Sequence, residues 1–153
     1  MKIEEKIVNK LRDLKYHISF AESMTGGMLA STIINVSGAS NVIERSFITY
    51  SDQAKHDILN VDMNTIKKYD VVSIEVVSQM ANGLYKITNS EICVSVSGYA
   101  SGYLDNQGKV CYAIKYLDKL YTYEIIIDGN RNQVRKKACT IILNQIYKII
   151  KGV

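Results

Sequence analysis

Histidine and cysteine are scarce in this chain, and their scarcity limits the chemistry available to it. Among 153 residues there are only two histidines, His17 and His56, which cannot form a multi-histidine metal site. The three cysteines, Cys93, Cys111 and Cys139, are widely spaced and odd in number, so neither a disulfide framework nor a zinc site is indicated. We expect buried free thiols in a reducing cytoplasm.

Long apolar runs and clustered charges are also missing. No apolar run approaches the roughly 18 residues that a membrane span requires. Residues 1–6 include acidic side chains and no apolar signal-peptide segment, which predicts a cytoplasmic protein without a membrane partner. The net charge is +4, and the only basic cluster is at residues 135–137. A solvated helix face explains that cluster equally well, so we expect no nucleic-acid partner.

Several well-known catalytic motifs are absent as well. Ser23 lacks a surrounding GxSxG motif, and no lysine follows it by three residues as in an SxxK motif. The chain has no GxxxxGK[ST] loop, which argues against an NTPase. It also has no GxGxxG fingerprint, which argues against a dinucleotide-dependent oxidoreductase.

The hydrophobic pattern predicts a single-domain α/β layered sandwich, in which a mixed β-sheet is flanked by helices. Hydrophobic and charged residues make up 47% and 22% of the chain, as in ordinary globular domains. Helices are predicted at residues 2–15, 25–35, 52–59, 62–69 and 131–150, with a longer one over 76–87 that Ser73 caps. Strands are predicted at residues 17–21, 44–51, 92–96, 110–116 and 120–127.

Three of these elements carry further expectations. The alternation of apolar and polar residues over 92–96 is typical of a half-buried strand. Gly83 costs a helix about 1 kcal/mol relative to alanine, so we expect it to mark a close packing contact. The hairpin 110–127 presents an edge strand, which makes a homo-oligomer plausible.

Residues 21–27, AESMTGG, place Ser23 at a predicted strand-to-helix turn. The first turn of a helix has unpaired N–H groups and a partial positive charge, so it binds anions and stabilises oxyanions. This geometry suits acyl chemistry on a phosphorylated substrate. A Ser or Thr before two glycines is as often only a helix N-cap, and the segment alone does not separate the two interpretations.

Residues 50–55, YSDQAK, form a second group of polar side chains. A serine nucleophile needs a base, and a lysine whose pKa is lowered by burial can serve, while a tyrosine can relay the proton. Tyr50 and Lys55 straddle a strand end and a first helical turn, so both can face one cleft. Taken alone, the more ordinary interpretation is an edge tyrosine and a solvated lysine.

Arg131 stands at the start of the last predicted helix, where a guanidinium can bind phosphate bidentately. Its charge is somewhat unfavourable at a helix N-terminus, which favours a ligand role over a solvated one. We therefore expect Arg131 to bind a phosphate, with Arg135 one turn later as the alternative.

Three loops compete for the ligand site, because ligands in α/β sheets bind at the carboxyl ends of strands. They are residues 22–27, 50–55 and 97–103, each of which follows a predicted strand. If the three loops converge, they form one pocket.

Taken in order, these stretches resemble the C-terminal domain of the CinA (competence/damage-inducible) family, which also occurs as stand-alone nicotinamide-nucleotide amidohydrolases. The resemblance spans nearly the whole chain, and AES-x-TGG followed by YS-x-x-x-K is its most specific part. The other matching stretches are Gly38-Ala39-Ser40, residues 72–83, Gly108-x-Val110 and residues 129–135.

The resemblance implies hydrolysis of a small pyridine nucleotide, in which nicotinamide mononucleotide gives nicotinate mononucleotide and ammonia. It implies no metal, and we expect no other cofactor. By match, Ser23 is the nucleophile, and Tyr50 and Lys55 handle its proton, while N–H groups near residues 25–27 stabilise the oxyanion. We expect substrate contacts from Thr25, Gly26, Gly27, Ser51, Gly98 and Arg131.

One loop departs from the family pattern. Where the family has roughly Thr-Gly-x-Ala-Gly-Pro, residues 97–102 are SGYASG and the bulky Tyr103 follows. We expect this loop to approach the ligand, so the change bears on substrate choice and on activity. The sequence therefore leaves a second interpretation open, namely a nucleotide-binding module of the same fold that has lost the reaction.

Overall fold

A five-stranded mixed β-sheet forms the middle layer of the protein, whose computed structural model describes residues 1–101 and 106–152. The strands are β1 (Ile18–Glu22), β2 (Ile43–Ile48), β3 (Ile92–Gly98), β4 (Lys109–Tyr116) and β5 (Lys119–Ile126). The α-helices are α1 (Ile3–Leu14), α2 (Met28–Ile34), α3 (Asp52–Leu59), α4 (Met63–Tyr69), α5 (Ile74–Thr88) and α6 (Arg131–Ile150). The strand order is β2-β1-β3-β4-β5. β1 is parallel to β2 and β3, whereas β4 is antiparallel to both of its neighbours.

Helices cover both faces of the sheet, with α1, α2 and α6 on one face and α3, α4 and α5 on the other. Successive side chains of a strand point to opposite faces, so each central strand supplies both cores. Phe20 and Val94 pack in the first core, and Ala21 and Cys93 pack in the second. The predicted layered α/β sandwich with a mixed sheet is therefore confirmed.

Two helices have the predicted bounds, because each begins at a side chain that caps it. Helices α3 and α6 span residues 52–59 and 131–150, as predicted. Ser73 caps α5 as expected, and its Oγ accepts the N–H of Val76 at 3.2 Å. The strand expected at 44–51 ends earlier, at Ile48, so Tyr50 lies in the connection to α3.

The interpretation of residues 92–96 as a half-buried strand was wrong. β3 lies at the centre of the sheet, with helices over both faces, so its polar side chains are buried as well. Their hydroxyls are satisfied inside the core: Ser95 donates to the carbonyl of Val77 at 2.6 Å, and Ser97 donates to the carbonyl of Val71 at 3.0 Å.

The second helix begins at Met28, three residues later than predicted. Gly26 and Gly27 have φ angles of +62° and +101°, in the left-handed region that glycine adopts without steric cost. The connection is a turn, in which the N–H of Gly26 donates to the carbonyl of Ser23 and that of Met28 donates to Thr25, both at 3.1 Å. Ser23 therefore lies before this turn and is not a helix cap.

The three cysteines are buried free thiols, as predicted. Burial raises the pKa of Cys93 and Cys139 to about 11 and that of Cys111 to about 12. Thiols with such raised pKa values are poor nucleophiles at neutral pH, so these side chains serve packing.

Two earlier expectations concern the edge of the sheet and the membrane. β5 forms an edge of the sheet, as the hairpin pattern requires, and its pairing with a second copy stays a prediction. Within residues 1–101 and 106–152, no helix has the length and apolar character needed to cross a membrane.

Replacing Gly83 with alanine is expected to destabilise the fold, although alanine is the better helix former. A Cβ atom at this position would lie 1.9 Å from the carbonyl oxygen of Leu59, so α5 and the end of α3 must separate. We expect Gly83→Ala to lower the free energy of unfolding by about 1–3 kcal/mol. Urea denaturation would measure this, with the neighbouring exposed Asn82→Ala as the control. Equal stability of the two variants would contradict the packing account.

Candidate active site

Loops that follow three parallel strands converge at one edge of the sheet, where they enclose a cleft of about 180 Å³. β1 lies between β2 and β3. The connection from β1 to β2 runs over one face of the sheet and that from β2 to β3 over the other, which opens a crevice at the carboxyl ends of these strands. The site predictions that this cleft brings together are Ser23, Tyr50, Lys55, Gly98 and Arg131. The convergence of the three loops is thus observed.

A larger depression, of about 620 Å³, lies between the start of α1 and the end of α2. Its polar side chains include Glu4, Glu5 and Asn9, and it contains neither a buried lysine nor a serine held by a base. By volume, this depression would be the better candidate for the active site. By the arrangement of its reactive groups, the smaller cleft is the better candidate.

Ser23 and Lys55 form the reactive pair of the cleft. Ser23 follows β1 directly and is only 7% exposed, and the Nζ of Lys55 lies 3.1 Å from its Oγ. The same Nζ contacts the carbonyl oxygens of Thr49 at 2.9 Å and of Tyr50 at 3.2 Å. A serine hydroxyl within hydrogen-bond reach of an amine is the arrangement that nucleophilic catalysis requires.

The side chain of Lys55 is 1% exposed, which is unusual for a lysine. Burial lowers its pKa below the ordinary lysine value, and the charge of Asp52 partly opposes this effect. The interpretation of Lys55 as a solvated helix residue, which residue type alone favours, is therefore wrong.

The partners of Lys55 suit both of its ionisation states. As an ammonium ion, it can donate its three N–H groups to the carbonyl oxygens of Thr49 and Tyr50 and to the Oγ of Ser23. As a neutral amine, it keeps two N–H groups for the carbonyls, and its lone pair can accept the hydroxyl proton of Ser23. This arrangement can abstract that proton without any side-chain movement.

Tyr50 and Arg131 meet at the mouth of the cleft. The Tyr50 side chain is 60% exposed, and its Oη accepts a hydrogen bond from Nη2 of Arg131 at 3.0 Å. Nη1 of the same guanidinium donates to the Oγ of Ser101 at 2.8 Å. Within the described part of the chain, the Tyr50 hydroxyl makes no hydrogen bond to Ser23 or Lys55. The observed contacts therefore place Tyr50 at the mouth of the cleft, and its role as a proton relay stays a prediction.

A residue that sequence reasoning did not single out, Glu22, holds the start of α2. Its carboxylate is fully buried and accepts the N–H groups of Leu29 and Ala30 at 2.9 and 3.0 Å, together with the hydroxyl of Thr25 at 2.6 Å. The first turn of α2 therefore already has an anion, contrary to the expectation of unpaired donors there. Glu22 ends β1, six residues before α2, so no capping pattern in the sequence could identify this role.

Four predicted substrate-binding residues lie outside the cleft lining. Thr25 donates to Glu22, and the left-handed Gly26 and Gly27 form the turn between Ser23 and α2. The hydroxyl of Ser51 caps α3 by accepting the N–H of Ala54 at 3.0 Å. These contacts give each residue a role in shaping the loops, and their predicted contact with substrate is not supported by the geometry.

Arg135, the alternative phosphate ligand, is engaged elsewhere. Its Nε donates to the carbonyl of Met24 at 2.7 Å, and its Nη2 donates to that of Thr25 at 3.3 Å. It therefore ties α6 to the Ser23 turn, which leaves Arg131 as the guanidinium that faces the cleft.

Tyr99 forms a wall of the cleft and is fixed by Asp70. Its hydroxyl lies 2.8 and 2.7 Å from the two carboxylate oxygens, and burial with this contact raises its pKa to about 12. Asp70 itself has φ +79° and ψ 156°, a conformation that is rare outside glycine, and the contacts of its side chain hold it there. Tyr103, which the departing loop introduces, lies outside the described residues.

Within residues 1–101 and 106–152, no group of three or more His, Cys, Asp or Glu side chains is placed to hold a metal ion. The cleft itself presents a hydroxyl, a buried amine and a guanidinium.

Comparison with known proteins places the chain among CinA proteins. A family model described as the CinA C-terminal domain matches residues 1–150. A CinA-like protein of Petrotoga mobilis is 40% identical over 138 residues, which cover 88% of this chain and 34% of that protein. One from Thermotoga maritima is 37% identical over 154 residues, which cover 99% of this chain and 38% of that protein. The chain thus spans little more than a third of the length of these relatives.

Solved structures show the same fold over their whole length. A competence or damage-inducible protein from Enterobacter asburiae is 27% identical with a TM-score of 0.93, and the match covers 97% of this chain and 96% of that one. A competence/damage inducible protein from Agrobacterium tumefaciens is 29% identical with a TM-score of 0.90, and the match covers 95% and 94% of the two chains.

Replacing Glu22 with glutamine is expected to weaken the fold beside the reactive pair. Glutamine keeps one acceptor oxygen and turns an NH₂ group toward donors, so at least one buried partner loses its hydrogen bond. We expect a loss of about 1–3 kcal/mol in the free energy of unfolding, measured with urea. Glu44→Gln, which removes a surface ion pair with Arg45, is the control and should change stability by less than about 1 kcal/mol. A Glu22→Gln protein as stable as the control would contradict this role.

Proposed function

The chain belongs to the CinA C-terminal domain family, and we propose that it is an amidohydrolase that converts nicotinamide mononucleotide into nicotinate mononucleotide and ammonia. The observation that carries the proposal is the 3.1 Å contact between the buried amine of Lys55 and the hydroxyl of Ser23. An amine with a lowered pKa beside a hydroxyl is a general base paired with a nucleophile. We place the reaction in the cytoplasm, because three unpaired thiols suit a reducing compartment.

The first half-reaction uses Lys55 as base and then as acid. Lys55 takes the proton of the Ser23 hydroxyl while Oγ attacks the carboxamide carbon, and a tetrahedral oxyanion forms. The resulting ammonium of Lys55 returns the proton to the amide nitrogen, so ammonia leaves and an acyl-serine ester remains. In the second half-reaction a water molecule loses its proton to Lys55 and attacks the ester, which releases the carboxylate and restores Ser23.

The oxyanion needs donors from the turn between β1 and α2. The N–H of Gly26 is already taken by the carbonyl of Ser23. In the described part of the chain, the N–H groups of Thr25 and Gly27 have no acceptor, but both residues lie outside the lining of the cleft. The oxyanion role of residues 25–27 therefore stays a prediction from the family resemblance.

The size of the cleft determines which part of the nucleotide enters it. Its volume of about 180 Å³ is below the roughly 300 Å³ at which ligand pockets usually begin. We therefore place the carboxamide and part of the ring inside, with the ribose and phosphate beyond the mouth. Arg131 stands there, and among residues 1–101 and 106–152 two of its five N–H groups are engaged, with Tyr50 and Ser101.

Release of ammonia from nicotinamide mononucleotide tests the reaction directly. We expect turnover by the wild type and a loss of at least about a thousandfold in Ser23→Ala and in Lys55→Met, because removal of either member disables the pair. Circular dichroism would check that both variants fold. Turnover that survives in Ser23→Ala would contradict the mechanism. Nucleotide binding without ammonia release by the wild type would support the alternative, a binding module that has lost the reaction.

Arg131→Ala is expected to weaken binding of the mononucleotide by about tenfold to a hundredfold. A hydrogen bond to a charged group contributes roughly 1.5–3 kcal/mol, and nicotinamide riboside, which lacks the phosphate, should lose little. Calorimetry with both ligands would measure the difference, and Arg45→Ala, an exposed arginine paired with Glu44, is the control. Equal losses for the two ligands would show that Arg131 supports the cleft without binding phosphate.

A further inference from the structure

Asp52 is a charged group of the cleft that the mechanism does not use. It is the first residue of α3 and lines the cleft together with Ser23, Lys55 and Tyr99. Its side chain is exposed, and no group in residues 1–101 and 106–152 donates a hydrogen bond to its carboxylate. A carboxylate that borders a reactive cleft and keeps its acceptors free is available to a ligand.

The charge of Asp52 works against the proposed base. A nearby negative charge favours the ammonium form of Lys55 and so raises the pKa that burial lowers. Stabilisation of the helix start does not require it, because the Ser51 hydroxyl already caps α3. A group that lowers the fraction of neutral Lys55, in a position where a neutral residue would serve the helix, points to a role toward the substrate.

Charges of opposite sign occupy separate places in the cleft. The guanidinium of Arg131 stands at the mouth, held by Tyr50 and Ser101. Asp52 lies beside the reactive pair, and the second nearby carboxylate, Asp70, is occupied by the Tyr99 hydroxyl. The cleft thus has a positive group at its mouth and a negative group at its border, which suits a ligand with an anionic end and a separate cationic part.

We propose that Asp52 is a specificity-determining residue that selects a positively charged pyridinium ring over a neutral ring in the substrate. The inference rests on the proposed function, since the oxidised mononucleotide carries a positively charged ring nitrogen two bonds from the carbon that bears the carboxamide. With the carboxamide at Ser23, the ring lies in the part of the cleft that Asp52 borders. Attraction between the two charges offsets the repulsion between the ring and any protonated Lys55.

The reduced form of the same mononucleotide supplies a matched neutral ligand. It has the same carboxamide, ribose and phosphate, but its dihydropyridine ring carries no charge. Binding of both forms is measured by calorimetry in a Ser23→Ala background, which prevents turnover. We expect Asp52→Asn to weaken binding of the oxidised form by about threefold to tenfold and to leave the reduced form within twofold. Asp52→Glu, which keeps the charge, should restore most of the loss.

The control is Asp57→Asn, on the same helix. The Asp57 carboxylate accepts a hydrogen bond of 2.7 Å from Gln53 and does not line the cleft. This substitution should affect neither ligand. Equal weakening of both forms by Asp52→Asn would show that Asp52 only supports the helix and would overturn the inference. Unchanged binding of the oxidised form would overturn it as well, and both results would leave the proposed function intact. If neither nucleotide binds the Ser23→Ala protein, the proposed function and this inference fail together.

Discussion

The contact between Nζ of Lys55 and Oγ of Ser23, 3.1 Å long, is the interaction on which the rest of the account depends. A lysine that is 1% exposed has lost the water that would stabilise its charge, so burial lowers its pKa and favours the neutral amine. The carbonyls of Thr49 and Tyr50 match the two N–H groups of that amine. The position of Lys55 between Ser23 and these two carbonyls therefore explains its burial, its hydrogen bonds and its lowered pKa together.

The fold supplies this contact from two neighbouring parallel strands. Ser23 follows β1, and Lys55 lies in α3, just after the end of β2, so the parallel pairing of β1 and β2 brings both to one edge of the sheet. Glu22 and Arg135 then fix the turn that holds Ser23, by bonds to the start of α2 and to the carbonyl of Met24. The reactive pair thus sits on rigid elements, which is how precise catalytic geometry is maintained.

Periodicity and capping residues were enough to predict most of the architecture, because α5 and α6 begin at N-caps and β-favouring residues mark a strand such as β2. The pattern over 92–96 misled, since alternation cannot reveal that β3 has helices over both faces. The burial of Lys55 could not be predicted from residue type. The residues alone left a base and a solvated lysine as two interpretations, and the family resemblance favoured the base. Asp52 and the Asp70–Tyr99 contact depend on tertiary proximity between separate loops, for which the chain carries no local signal.

The ionisation of Lys55 is the most direct test of the central claim. Lysines labelled with ¹³C at Cε shift their NMR signal on losing the ammonium proton, and comparison with Lys55→Met identifies the signal of Lys55. The account predicts a titration midpoint clearly below the ordinary lysine value of about 10.4, because burial disfavours the charged form. A midpoint at or above that value would contradict the assignment of Lys55 as the base that activates Ser23.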